Sequence, residues 1–205
     1  CLIDRRRGGI SHVLAGITAA IAIAIGAETV PIVAVACACV AVQWAWHGEA
    51  FGAPARAFGL SLCLAITGLF VATVPPAQYG LVTCDNLSLG FYSLTALGGA
   101  GLFMLALGVK RASQKRRFLA LGGLGIAMLA AAVLIAPQCL GSPLAGLDPM
   151  LRDLWLNNVT EAQPFLSQLR HEPSTIGGFY AVGLFAIAIC TFRVLDREKA
   201  EIHLV

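Results

Sequence analysis

The sequence predicts an all-α integral membrane protein, a helical bundle of about six transmembrane helices, on three observations. Hydrophobic residues make up 58% of the 205 residues and charged residues only 12%, about half the charged share of a soluble domain. Mean hydropathy is +0.81, and the apolar residues come in blocks of about 18 to 22, the length that spans a ~30 Å hydrocarbon core. Lys and Arg gather between alternate blocks, the distribution that sets orientation in a bilayer. The whole of 1–205 reads as a single transmembrane domain. The start, "CLIDRRRGG", carries no secretory signal pattern. Its three arginines after Cys1 argue against a lipidated terminus, so the chain reads as an excerpt of a longer protein.

The first two helices, about 12–27 and 30–46, depend on Glu28, the one charged residue between Val13 and Trp46. A single rod from His12 to Trp46 would hold 35 residues and run about 52 Å at the α-helical rise. That overshoots the bilayer core by roughly 20 Å, more than tilt absorbs. Gly26 can end one helix, Thr29 can cap the next, and Pro31 suits a first turn. Glu28 then marks the outer tip of a hairpin, and Trp44 and Trp46 close the second helix at the inner interface, where indoles are favoured.

The later spans are about 57–74, 89–109, 118–136 and 176–193, with an outer loop over 137–175. Their interiors hold no Asp, Glu, Lys or Arg. Gly and Ala recur in "LGGAGLFMLALG" and "LGGLGIAMLAAA", and small residues let helix backbones approach closely in lipid. With the hairpin in place, 12 of the 14 Lys and Arg lie on the cytoplasmic side and only Arg152 and Arg170 face out. The basic run 110–117 is then a topology determinant beside anionic lipid, not a nucleic-acid patch. The expected location is a bacterial inner membrane, multi-pass, with both termini cytoplasmic.

The outer segments concentrate the chemistry-bearing residues. Cys84 and Cys139 each sit near the outer end of a span, and in an oxidising compartment they are either a disulfide or two unpaired thiols. Residues 148–163 read as an amphipathic helix with Asp148 as N-cap and Pro149 in its first position. Trp155 anchors it on the outer leaflet, or, on a sharper reading, the helix closes a lipid-linked substrate site with Arg152 near a phosphate. Glu28 and Asp85 stand at helix ends, where acids more often act as caps or dipole partners than as an acid–base pair. "NLS" at 86–88 and "NVT" at 158–160 fit the N-glycosylation pattern.

Composition also excludes. No two histidines among 12, 47, 171 and 203 can clamp a haem between facing helices. His47 and Glu49 are too few for a metal site. Cys37 and Cys39 diverge around a helix. No Walker loop, GxSxG or zinc spacing occurs. No cofactor, no metal and no catalytic residue is assigned.

"APQCLGSPLAGLDPMLRDLWLNNVTEAQP" at 136–164, with "VPP" at 74–76 and "CDNLS" at 84–88, resembles the C-terminal half of mostly uncharacterised bacterial polytopic proteins related to GT-C type glycosyltransferases. The resemblance covers most of the chain. It implies a polyprenyl-phosphate-linked sugar as substrate and a catalytic acid in the first large extracytoplasmic loop. That loop has no counterpart here, so no catalytic residue carries over and Glu28 is not promoted to one. Arg152 and Arg170 are the residues on offer for the phosphate, with Trp155 beside them. The alternatives are a non-catalytic membrane scaffold or assembly subunit, and a transporter of an apolar solute. The uncharged span interiors weigh against ion or proton transport.

Overall fold

A computed structural model of the protein describes residues 9–26, 29–109, 112–140, 149–154, 185 and 188. The chain packs as two units, residues 1–145 and 146–205. Among the described residues there is no strand.

The first unit holds five helices: α1 (Gly9–Ile25), α2 (Val30–His47), α3 (Gly52–Thr73), α4 (Leu89–Gly108) and α5 (Gln114–Ile135). They lie on the first five apolar blocks. Among the described residues three segments are long and apolar enough to cross a membrane, Val30–Thr73, Leu89–Gly108 and Gln114–Ile135. The first has 44 residues, about 66 Å if straight, but a 3-10 turn at Gly48–Phe51 breaks it into α2 and α3. In the second unit a short helix, α6 (Pro149–Leu154), starts at Pro149. Glu28, Asp148, the rest of the amphipathic segment beyond Leu154 and, apart from positions 185 and 188, the block 176–193 lie outside the described residues.

Between α1 and α2 the chain breaks where Gly26 and Pro31 predict it. Gly26 N–H still donates to Ala22 O at 3.2 Å, the last bond of α1. Pro31 stands in the first turn of α2, where an N–H has no partner to lose. Thr29 does not cap α2, however. Its backbone is already helical, and its hydroxyl donates back to Gly26 O at 2.9 Å.

The helices alternate in direction. α1 runs parallel to α3, with His12 against Phe51 and Gly16 against Phe58 and Leu62. α3 and α4 are antiparallel, pairing Gly59 with Gly99 and Arg56 with Ala106. α4 and α5 are antiparallel, pairing Gly98 with Met128 and Gly101 with Leu124. The α3–α4 seam is the tightest: a Cβ on Gly59 would lie 2.6 Å from the Gly99 carbonyl oxygen, and one on Gly99 2.7 Å from that of Gly59. Gly16 brings α1 equally close to α3, where a Cβ would meet the Phe58 carbonyl at 2.7 Å. Lipid removes the hydrophobic drive between helices, so such backbone contact supplies the packing instead.

Three expectations are corrected. Arg56 is not in a loop: α3 starts at Gly52 and accommodates Pro54 in its first turn. The basic run does not end before a helix either, because Lys115, Arg116 and Arg117 form the first turn of α5. Trp44 is no interface anchor; it is fully buried while Trp46 is 62% exposed, since positions two apart point to opposite sides of a helix.

Candidate functional site

One end of the five-helix unit is built by arginines. Arg117 sits at the start of α5, the positive end of that helix dipole, where a cation is unfavourable. Antiparallel packing places the carboxyl end of α2 beside it, and the guanidinium reaches across. Its Nε donates to Ala45 O at 2.9 Å and its Nη2 to Trp46 O at 3.4 Å, while Nη1 donates to Ala112 O at 2.6 Å. Those carbonyls belong to the last turn of α2 and the turn before α5, groups with no partner inside a helix. Gly48 makes the seat. Its φ is +61°, the only positive φ among the described residues, and a Cβ there would lie 2.5 Å from the guanidinium. Trp46 meets Phe118 edge to face at 6.2 Å across the same joint. Arg56 repeats the device on a smaller scale, donating from α3 to Ala106 O of α4 at 3.3 Å. His12 is fully buried here beside the ring of Phe51, and His47 Nδ1 donates to Gln43 O at 3.0 Å.

The other end is closed covalently. Cys84 and Cys139 form a disulfide, Cα to Cα 5.3 Å, tying the α3–α4 connection to the chain just past α5. Gln138 Nε2 adds a bond to Val82 O at 3.4 Å. Within the connection, Ser88 Oγ donates to Thr83 O at 2.7 Å and accepts from Thr83 N–H at 3.1 Å. Ser88, the third residue of "NLS", is thus buried and engaged. Asp85 is exposed.

Between these ends lies an apolar chamber of about 490 Å³, within the range of small-molecule sites. α2 lines it along one stripe from Val30 through Ala34 and Ala38 to Val42, thirteen residues spanning about 18 Å of helix. α4 contributes Phe91, Thr95 and Gly98, and α5 contributes Leu121, Gly125 and Met128. The cavity survives because α5 is held at its ends, by Arg117 and by the disulfide, and spaced from α4 by Leu124 and Met128. Small residues on the facing stripes leave the middle open. No charged group lines it, so it can bind but has nothing with which to move a proton at neutral pH.

Its one hydroxyl is Thr95. Thr18, Thr67 and Thr73 donate to the carbonyl four residues back, the usual outlet for a helical threonine. Thr95 makes no such bond among the described residues, and it lines the chamber.

Arg152 belongs to α6, described by its backbone alone, and Trp155 and Arg170 lie outside the described residues. Among the described residues no three His, Cys, Asp or Glu come together as a metal site. The chamber, the Gly48 seat and the Arg117 latch were missed, because each depends on contacts about 50 to 80 residues apart in the sequence. The faint signal was the repeated small residue at helical spacing in α2, α4 and α5. Comparison of the chain with family models, with curated proteins and with solved structures finds no match.

Proposed function

We propose that this chain is the membrane-embedded portion of a protein acting on a lipid-linked sugar, and that its own part is to hold the lipid's hydrocarbon tail. The chamber carries the reading. Its walls are apolar but for Thr95 and the Cys37 thiol, and its ~18 Å length exceeds the ~15 Å depth of one leaflet's hydrocarbon. A chain of methylenes or isoprene units placed there trades lipid contact for close packing on five helices. The disulfide end then faces the oxidising, extracytoplasmic side of a bacterial inner membrane, and the arginine end faces the cytoplasm. The sugar-phosphate belongs at the outer surface, where Arg152, Trp155 and Arg170 are the proposed contacts. The polyprenyl-phosphate identity and the GT-C type transferase rest on the sequence resemblance. The base for a transfer would come from outside this chain.

Photoaffinity labelling tests it. The full chain in lipid nanodiscs, given a photoactivatable polyprenyl phosphate, should be labelled on α2, α4 and α5, and excess unlabelled lipid should suppress the labelling. Gly98→Leu, which fills the chamber wall, should reduce it at least fivefold. Absence of saturable labelling in folded protein would end the proposal. A non-catalytic assembly subunit is the second reading, favoured by α5, which buries no residue of its own and so offers a whole apolar face to another helix.

A further inference from the structure

The seam between α2 and α5 is built differently from the α1–α3 and α3–α4 seams. α1, α3 and α4 are locked by backbone contact at Gly16, Gly59 and Gly99. None of those helices can part without losing packing along its length. The side-chain bonds between α2 and α5, from Arg117 to Ala45 and Trp46, and the Trp46–Phe118 ring contact lie near one end. At the far end α5 is tethered by the disulfide to the α3–α4 connection, not to α2. Along the seam, Ala34, Ala38 and Val42 of α2 and Gly125 of α5 line the chamber and are exposed at once. Among the described residues of the first unit, the chamber is therefore open on this side.

We infer that the α2–α5 seam is a side door through which a lipid tail enters the chamber from the bilayer, with Arg117 as its releasable latch and the disulfide end as its fixed hinge. The inference rests on the tail-holding reading and adds a route to it. A latch made of hydrogen bonds to carbonyls can break and re-form, because water or the neighbouring carbonyls at the membrane surface take over the freed groups. The hinge cannot slip, since its bond is covalent. Gly48 serves the same motion. With no side chain, it lets the guanidinium leave and return along one path. The tail moves in sideways without its headgroup crossing the hydrocarbon, which a chamber closed on all sides would forbid.

The test follows uptake and release of a fluorescent polyprenyl phosphate by the full chain in nanodiscs. Antiparallel register carries the Ala45–Arg117 pairing one turn inward to Val42 and Leu121. A Val42→Cys/Leu121→Cys pair, with Cys37, Cys39, Cys63 and Cys190 replaced by alanine, can be bridged with a short bis-maleimide. Bridging should slow uptake at least tenfold and trap probe loaded beforehand, relative to the same variant unbridged. Arg117→Met should speed both uptake and release severalfold while changing the dissociation constant less than threefold. Arg117→Lys, which keeps the charge but on a single nitrogen in place of the planar fork, should fall between; it carries this arm if the methionine variant does not fold. A purely structural arginine would instead weaken binding without faster uptake. Uptake by bridged protein at the unbridged rate overturns the door and leaves the tail site standing. Failure of the unaltered chain to take up probe at all overturns both.

Discussion

At Gly48 a missing side chain decides where a cation can sit. The backbone there is in the left-handed region, which costs a side-chain-bearing residue about 1–2 kcal/mol, and the Cβ would press on the Arg117 guanidinium. Gly48→Ala should therefore lower the stability of the bundle by about 2–3 kcal/mol, the strain plus part of a charged hydrogen bond, read as thermal unfolding in detergent. The loss should be smaller in an Arg117→Met background, because the two residues share one interaction. Full additivity would mean that Arg117 does not depend on that seat. Thr95 permits a sharper test of what the chamber holds. If the occupant is pure hydrocarbon at that depth, Thr95→Val exchanges an idle hydroxyl for a methyl and should leave tail binding equal or tighter, by up to about 1 kcal/mol. Weaker binding would place a polar atom of the ligand beside it.

At the scale of the helix, the α3–α4 seam sets the frame on which the chamber is built. Gly59→Ala pushes a methyl into the carbonyl of Gly99, which is backbone and cannot rotate away. Overpacking of this kind costs about 1–3 kcal/mol, and it should lower the unfolding temperature while Gly68→Ala, where nothing lies within 4 Å, should not. The contrast between these two glycines explains what the sequence could and could not disclose. Where helices begin and end follows from local chemistry: apolar blocks, Gly26, Pro31 and Pro149 act within a few residues of themselves. Even so, α3 starts five residues before its expected limit, because Pro54 is tolerated in a first turn. Which glycine of "LGGAG" touches a neighbour is a tertiary fact. Gly99 meets Gly59, and Gly98, one residue earlier, faces Met128 and the chamber. The same limit hid the roles of Arg56 and Arg117. Counted as charges they report a membrane side, but their guanidinium groups act on carbonyls of helices far along the chain. Trp44 and Trp46 were paired as interface residues by type, and the helix turned one of them inward.

For the whole molecule, alternation of five helices sends all described connections to two ends, and the chemistry of those ends is opposite. One carries Arg56, Lys115, Arg116 and Arg117; the other carries the disulfide and, among the described residues of the first unit, no basic group. A bilayer reads that asymmetry, because Lys and Arg resist translocation and a disulfide persists only on the oxidising side. The two signals are independent and both argue for the orientation proposed above, so one labelling experiment tests both. Ser113 is exposed at the start of α5, beside the arginines. A Ser113→Cys variant with the helical cysteines replaced should resist a membrane-impermeant maleimide applied to intact cells and react once the membrane is opened. Cys84 and Cys139 should behave the other way, accepting the reagent from outside, but only after reduction. Labelling of position 113 from outside would invert the bundle and strand the disulfide in a reducing compartment. The sugar-phosphate would then have to sit among the arginines, and the outward placement of Arg152, Trp155 and Arg170 would fall with the orientation that produced it.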